Sequence, residues 1–192
     1  MVDRSMMGNG ILILALVVVT AIMVSVLPTA GQHSVFAQAT NMTKWSDPHG
    51  NFSVSYPTNW TVTPASNRFE SPLVKSNSGV GPAANVDIIK GSVTDPEAIA
   101  RQIANYVGIQ YTLFQNVECA KYKIDGQKAC SLVLTKQADP NLGTSGDVVM
   151  QVFSYVNGRM YVMTFGAPPD TFDSVLPTFE AMIASFKAII YY

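Results

Sequence analysis

Cys119 and Cys130 are the only two cysteines in the 192-residue chain. They flank Lys123-Ile124-Asp125-Gly126-Gln127, which predicts a hairpin turn. Across a two-residue Asp125-Gly126 loop they share one face of the hairpin as diagonal neighbours, and a bulge at Gly126 would bring them nearer to opposition. Two chemistries fit: a disulfide, as an even pair forms in an oxidising compartment, or two buried free thiols. The other reactive types are scattered. Beyond His33, near the N-terminus, one imidazole is left: His49, in a Pro-Gly turn. A transition-metal site or a Ser-His-Asp constellation would have to be built on it. There is no Cys-x-x-Cys and no His-x-x-x-His. Asp170 and Asp173 open a predicted helix, where carboxylates favour the macrodipole. Gly79-Val80-Gly81-Pro82 precedes a strand rather than a helix, the wrong context for a phosphate loop. No catalytic residue, cofactor site or metal site is expected, so the chain is read as a non-enzyme.

The compartment follows from the N-terminus. Asp3 and Arg4 are the only charged side chains before the charge-free run Ile11–Leu27. A polar stretch and the small-residue sequence Val35-Phe36-Ala37-Gln38-Ala39 come next. This order is that of a secretory signal peptide, with cleavage after Ala37 or Ala39. The run is also at the short end of a membrane span, so residues 1–39 are either removed or retained as an N-terminal anchor. Both outcomes place the domain outside the cytoplasm. A lipoprotein anchor would need a Cys directly after the apolar run. Three N-glycosylation sequons suit export: Asn41-Met42-Thr43, Asn51-Phe52-Ser53 and Asn59-Trp60-Thr61. Asn41, in a polar linker, is the best placed of them, and Asn59, beside a Trp expected to be buried, the worst.

Without residues 1–39, roughly 150 residues remain, enough for one domain with a substantial core. Charged residues are only 13% of the chain and nearly balanced, at a net charge of −1. No basic stripe for nucleic acid exists. Lys121, Lys123 and Lys128 cluster on the Asp125-Gly126 hairpin and read as a solvated edge that resists aggregation.

The elements that must position these residues can be read from periodicity. Residues 40–44 are a linker and 45–188 the domain. Phe52–Tyr56 alternates as a half-buried strand ended by Pro57, and Trp60–Val62 continues extended. Ser71–Ala84, rich in Gly, Ser and Pro, reads as a long loop. Asn85–Lys90 is a strand. Thr94 and Glu97 form a capping box, Pro96 lies in the first helical turn, and Gly108 closes that helix. Strands follow at 112–124 and 128–136. A polar loop, Gln137–Gly146, then leads to a hairpin with arms Asp147–Val156 and Arg159–Ala167 about Asn157-Gly158. Pairing across that turn puts Met150, Val152, Val156, Tyr161, Met163 and Phe165 on one face. Val149, Phe153, Tyr155, Met160 and Val162 take the other. Both faces are apolar, so both should be covered. The last helix, Asp170–Lys187, offers the stripe Phe172, Val175, Leu176, Phe179, Met182, Ile183 and Phe186, with Pro177 expected to kink it. The fold class is α+β, a helix–antiparallel sheet–helix sandwich.

In this order the features resemble the PsbP-like family, named for an extrinsic lumenal protein of photosystem II. Phe52-Ser53-Val54-Ser55-Tyr56-Pro57-Thr58-Asn59-Trp60 is similar to its opening F-x-[apolar]-x-[aromatic]-P-x-x-W. Asn85-Val86-Asp87-Ile88 is similar to its next strand, Gly158–Thr164 to its G-x-x-Y strand, and Ser185-Phe186-Lys187 to its terminal helix ending in S-F. The resemblance covers Trp45 to Lys187 and implies a three-layer α-β-α sandwich. It also implies a non-enzymatic accessory or assembly role beside a membrane complex. The chain resembles most the exported prokaryotic members, archaeal ones among them. The basic N-terminal segment of the plant proteins has no counterpart here, since Thr40–Ser46 carries only Lys44. The expected protein is therefore an extracytoplasmic monomer contacting a membrane protein complex, with a membrane link through the N-terminal segment if that is retained. The alternative is an extracytoplasmic small-ligand-binding protein or hydrolase.

Overall fold

The computed structural model describes residues 41–63, 73–76, 81–89, 93–110, 114–136 and 146–189. Both cleavage positions, Ala37 and Ala39, and the Gln137–Ser145 part of the polar loop lie outside the described residues, as does the apolar N-terminal run. No helix among the described residues is long and apolar enough to cross a membrane.

Ten strands and two helices are described: β1 (Met42–Ser46), β2 (Phe52–Pro57), β3 (Trp60–Thr63), β4 (Leu73–Ser76), β5 (Ala83–Ile89), α1 (Pro96–Gln110), β6 (Phe114–Ile124), β7 (Gln127–Lys136), β8 (Asp147–Val156), β9 (Arg159–Ala167), α2 (Pro169–Ser185) and β10 (Lys187–Ala188). Seven strands form an antiparallel sheet in the order β3-β4-β5-β9-β8-β7-β6. A second sheet, β1-β2-β10, packs on the α2 side. The architecture is the expected α+β sandwich: α1, the large sheet, then a layer shared by α2 and the small sheet.

The central hairpin forms for the reason read from its turn. Asn157 and Gly158 both have positive φ, 51° and 80°, as a type I′ turn requires of both central residues. Its two faces divide as the alternation demands. Met150, Val152, Val156, Tyr161, Met163 and Phe165 join the α2-side core, and Phe153, Met160 and Val162 are buried on the α1 side with Val149 and Tyr155 packed against them. Phe179 of α2, fully buried, lies 4.9 Å from the Phe165 ring, centroid to centroid.

Several elements differ from expectation. Residues 42–44, expected as linker, belong to β1, which pairs with β2 from Met42↔Pro57 to Ser46↔Ser53. The expected Ser71–Ala84 loop contains β4, whose four residues are too short for alternation to register. Helix α1 is capped by Asp95 rather than Thr94: Glu97 N donates to Asp95 Oδ1 at 2.9 Å. Asp95 then occupies the N-cap and Pro96 the first helical position. The helix runs past Gly108 to Gln110. Helix α2 stops at Ser185 because Phe186 turns extended (ψ 136°), freeing Lys187 and Ala188 to pair with Ser53 and Phe52. That turn brings the buried Phe186 ring onto Phe52, 5.3 Å away and stacked, and 5.2 Å from Tyr161. Tertiary packing here overrides a helical pattern that would have continued.

Candidate functional site

The α1-facing side of the large sheet is built in cross-strand rows. One runs Asn85–Thr164–Gln151–Leu132 across β5, β9, β8 and β7. The next runs Asp87–Val162–Phe153–Cys130–Cys119. Helix α1 packs on β6, β7 and β8, so it covers the apolar ends of these rows, including Leu132 and Phe153. The opposite ends are polar. Asn85, Gln151 and Thr164 are all at most 3% exposed, and two of their acceptors, Asn85 Oδ1 and Gln151 Oε1, have no hydrogen-bond donor. Such a group costs about 1–3 kcal/mol while it stays unmet. The Gln151 amide nitrogen donates to Thr164 Oγ1 at 3.4 Å, and the Asn85 amide nitrogen to Asp87 Oδ2 at 3.1 Å. Burial pushes the Asp87 carboxyl up to about 6, against the lowering effect of the Asn85 bond. Two amide oxygens, a hydroxyl and a partly protonated carboxyl thus share one patch. These are groups that hold a polar ligand, with Asp87 able to take or give a proton near neutrality.

Sequence reading missed this patch, although a signal was present. Gln151 stands between Val149 and Phe153, and Thr164 follows Val162 by two, so both fall at inward positions of strands covered on both faces.

At the other end of the Asp87 row, Cys119 and Cys130 form a disulfide, with sulfurs 2.10 Å apart and Cα atoms 4.0 Å apart. They are direct cross-strand partners rather than diagonal ones. The irregularity that realigns them lies between Cys119 and Tyr122, not at Gly126. Ala120, within it, has φ 72°, the left-handed region that an alanine adopts only under constraint. The Asp125-Gly126 loop itself is a regular two-residue turn, with φ 50° and 81°. A carboxylate oxygen of Glu97, in the first turn of α1, lies within 4.8 Å of both sulfurs. Glu97 also binds Arg101, whose Nε and Nη2 donate to Oε1 at 3.0 and 2.8 Å.

The remaining sequence candidates are dispersed. His49 is exposed in the turn after β1, and Asp170 and Asp173 are exposed at the start of α2. Lys121, Lys123 and Lys128 are all exposed at the β6–β7 edge. Lys121 lies 3.8 Å from Glu180. Among the sequons, Asn41 and Asn59 are exposed, and Thr58 N donates to Asn41 O at 3.1 Å, so the two lie at one end of the β1–β2 pair. Asn59 is accessible despite its buried neighbour Trp60, because the chain turns there. Asn51 differs: its side-chain nitrogen donates to Asp47 Oδ2 at 2.6 Å and its Oδ1 accepts from Arg159 at 2.8 Å. Its carbonyl also receives Tyr161 Oη at 3.2 Å. Asn51 joins the β1–β2 turn to β9.

No family model and no curated protein matches the chain. Solved structures do. The solution structure of the cyanobacterial PsbP, CyanoP, from Synechocystis sp. PCC 6803 superposes with a TM-score of 0.54 at 14% identity, covering 84% of this chain and 98% of that one. The fold is PsbP/Mog1-like. LpqN of Mycobacterium tuberculosis, described as involved in cell envelope biogenesis, is similar at TM-score 0.54 and 13% identity, over 78% of this chain and 91% of its own. The Saccharomyces cerevisiae Ran-binding protein Mog1p is similar at 0.53 and 10%, over 77% and 95%. At these identities the likeness is one of fold.

Proposed function

We propose that the protein is an exported accessory module, without catalytic activity, that contacts or helps assemble a membrane protein complex. The observation that carries this reading is how its polar groups are distributed. His49, Asp170 and Asp173 are displayed singly on exposed positions, while the groups brought together are amides, a hydroxyl and one carboxyl, the equipment of binding. Three features support it: the signal-like N-terminus, a disulfide of the kind made in oxidising compartments, and fold neighbours described as Ran-binding and as involved in cell envelope biogenesis. If residues 11–27 are retained, they tether the module beside its partner.

Crosslinking in native cells followed by purification tests the reading. The expected result is co-enrichment of an integral membrane assembly in fixed proportion to this chain. Recovery of the monomer alone, with turnover of a small substrate, would overturn it. The polar patch favours a second reading, an extracytoplasmic small-ligand-binding protein. That reading requires Asp87→Asn to abolish ligand binding while leaving co-purification intact.

A further inference from the structure

We propose that, once a dithiol reduces the Cys119–Cys130 bond, the two sulfurs and the Glu97 carboxylate form a three-ligand site for a thiophilic divalent cation of the zinc class. The disulfide takes two electrons and two protons from the dithiol, which itself becomes a disulfide. Cation binding then displaces the two thiol protons.

Three elements deliver the ligands: β6 carries Cys119, β7 carries Cys130 and α1 carries Glu97. Their donor atoms already lie within 4.8 Å of one another. Bonds of roughly 2.0–2.3 Å to sulfur and carboxylate oxygen set donors about 3–4 Å apart around a tetrahedral ion. Parting the sulfurs to that spacing needs side-chain rotation and no change of strand pairing. The electrostatics agree. Thiolates beside the first turn of a helix are stabilised by its positive end. Arg101, fixed on Glu97 Oε1 at 2.8 Å, offsets the single negative charge that a divalent ion would leave on two thiolates and a carboxylate. Cys130 is 1% exposed, whereas Cys119 and Glu97 are half-exposed. The fourth position therefore opens to water or to an incoming ligand. In an oxidising compartment the bond keeps the site closed, so binding reports the redox state.

A competing fate of the reduced hairpin is written in its register. Without the irregularity at Ala120 and Lys121, the two-residue turn would pair Lys121 with Cys130 and Cys119 with Leu132. That slip of two residues keeps every side chain on its face and relieves Ala120, whose φ is 72°. It would also separate the thiols and destroy the site. Glycine at position 120 accepts that φ without strain and so favours the bulged register.

The full-length chain in detergent, reduced with a dithiol and desalted without oxygen, is titrated with Co²⁺ and then with Zn²⁺. One Co²⁺ per chain with a thiolate-to-cobalt charge-transfer band, displaced by Zn²⁺, is expected from the reduced protein and none from the oxidised. Glu97→Gln, matched to wild type for stability in its oxidised form, should weaken Co²⁺ binding by about tenfold or more. Ala120→Gly should bind at least as tightly as wild type. Absence of the band in reduced wild type, an unchanged affinity in Glu97→Gln, or one Co²⁺ shared by two chains would each overturn the proposal. Weaker binding in Ala120→Gly would overturn the role given to the bulge.

Discussion

The two faces of the large sheet use the same strands and solve burial differently. On the α2 side the buried polar residues of the central strands include serines. Ser131 and Ser154, both buried, donate to strand carbonyls at Glu118 and Lys128, at 3.3 and 3.1 Å. A hydroxyl is short enough to be satisfied by its own sheet, so this face can be sealed under Phe172, Phe179 and Met182 without loose ends. On the α1 side the buried polar residues include Asn85 and Gln151, each with two donors and an acceptor to satisfy. Neighbouring strands cannot meet all of those demands, and two oxygens are left without donors. One face is built for packing alone. The other gives up packing consistency at one end, where function commonly resides.

The largest effect that sharpens this contrast belongs to the packing face. Phe179→Ala should lower stability by about 3–5 kcal/mol, since the ring is fully buried among Trp60, Phe165 and Phe172 and leaves a cavity. Denaturant unfolding monitored by tryptophan fluorescence would measure it. A loss below about 1 kcal/mol would mean that this face is not sealed. Next in size, replacing both Cys119 and Cys130 by Ala should cost about 2–4 kcal/mol by the same assay, because the cross-link closes a loop in the unfolded chain.

Asp87 supplies a test of opposite sign. Its carboxyl titrates at about 6 when folded against 3.8 for the free group, so the native state holds the proton more firmly than the unfolded one. Its contribution is therefore most favourable below about pH 4 and is lost as the pH rises through about 6. The full loss amounts to at most about 3 kcal/mol. Asp87→Asn should flatten stability over that window and raise it at pH 7, as followed by denaturation at a series of pH values. A carboxylate that instead stabilises the fold above pH 6 would erase the contrast between the faces.

The smallest effect is the most diagnostic for the row itself. Gln151→Met removes an unmet acceptor and keeps the volume, so thermal unfolding should show a gain of about 1 kcal/mol in the ligand-free protein. A loss of more than that would show that Gln151 is a structural member of the sheet.

Much of this was legible in advance because it depends on local periodicity. The turn at Asn157-Gly158 set the pairing of Val156 with Arg159, and a period of two then assigned both faces of β8 and β9. The spacing of Phe172, Val175, Phe179, Met182 and Ile183 showed the buried stripe of α2. What escaped were features of two or more distant segments. Strands β1, β4 and β10 carry little pattern of their own and exist through their partners. The Cys119–Cys130 alignment depends on a bulge at Ala120, where nothing in the residue type announces a positive φ. The polar row needs Asn85, Gln151 and Thr164 side by side, from strands far apart in the chain.

The amino-acid sequence by itself determined the sandwich, the apolar stripes and the pairing of the central hairpin, because helix and strand periods and turn chemistry act within a few residues. Only the tertiary structure decided that one face is closed and the other partly polar, and that Glu97 stands over the cysteine pair. Neighbours across a sheet and beneath a helix are chosen by long-range pairing, which no local propensity encodes.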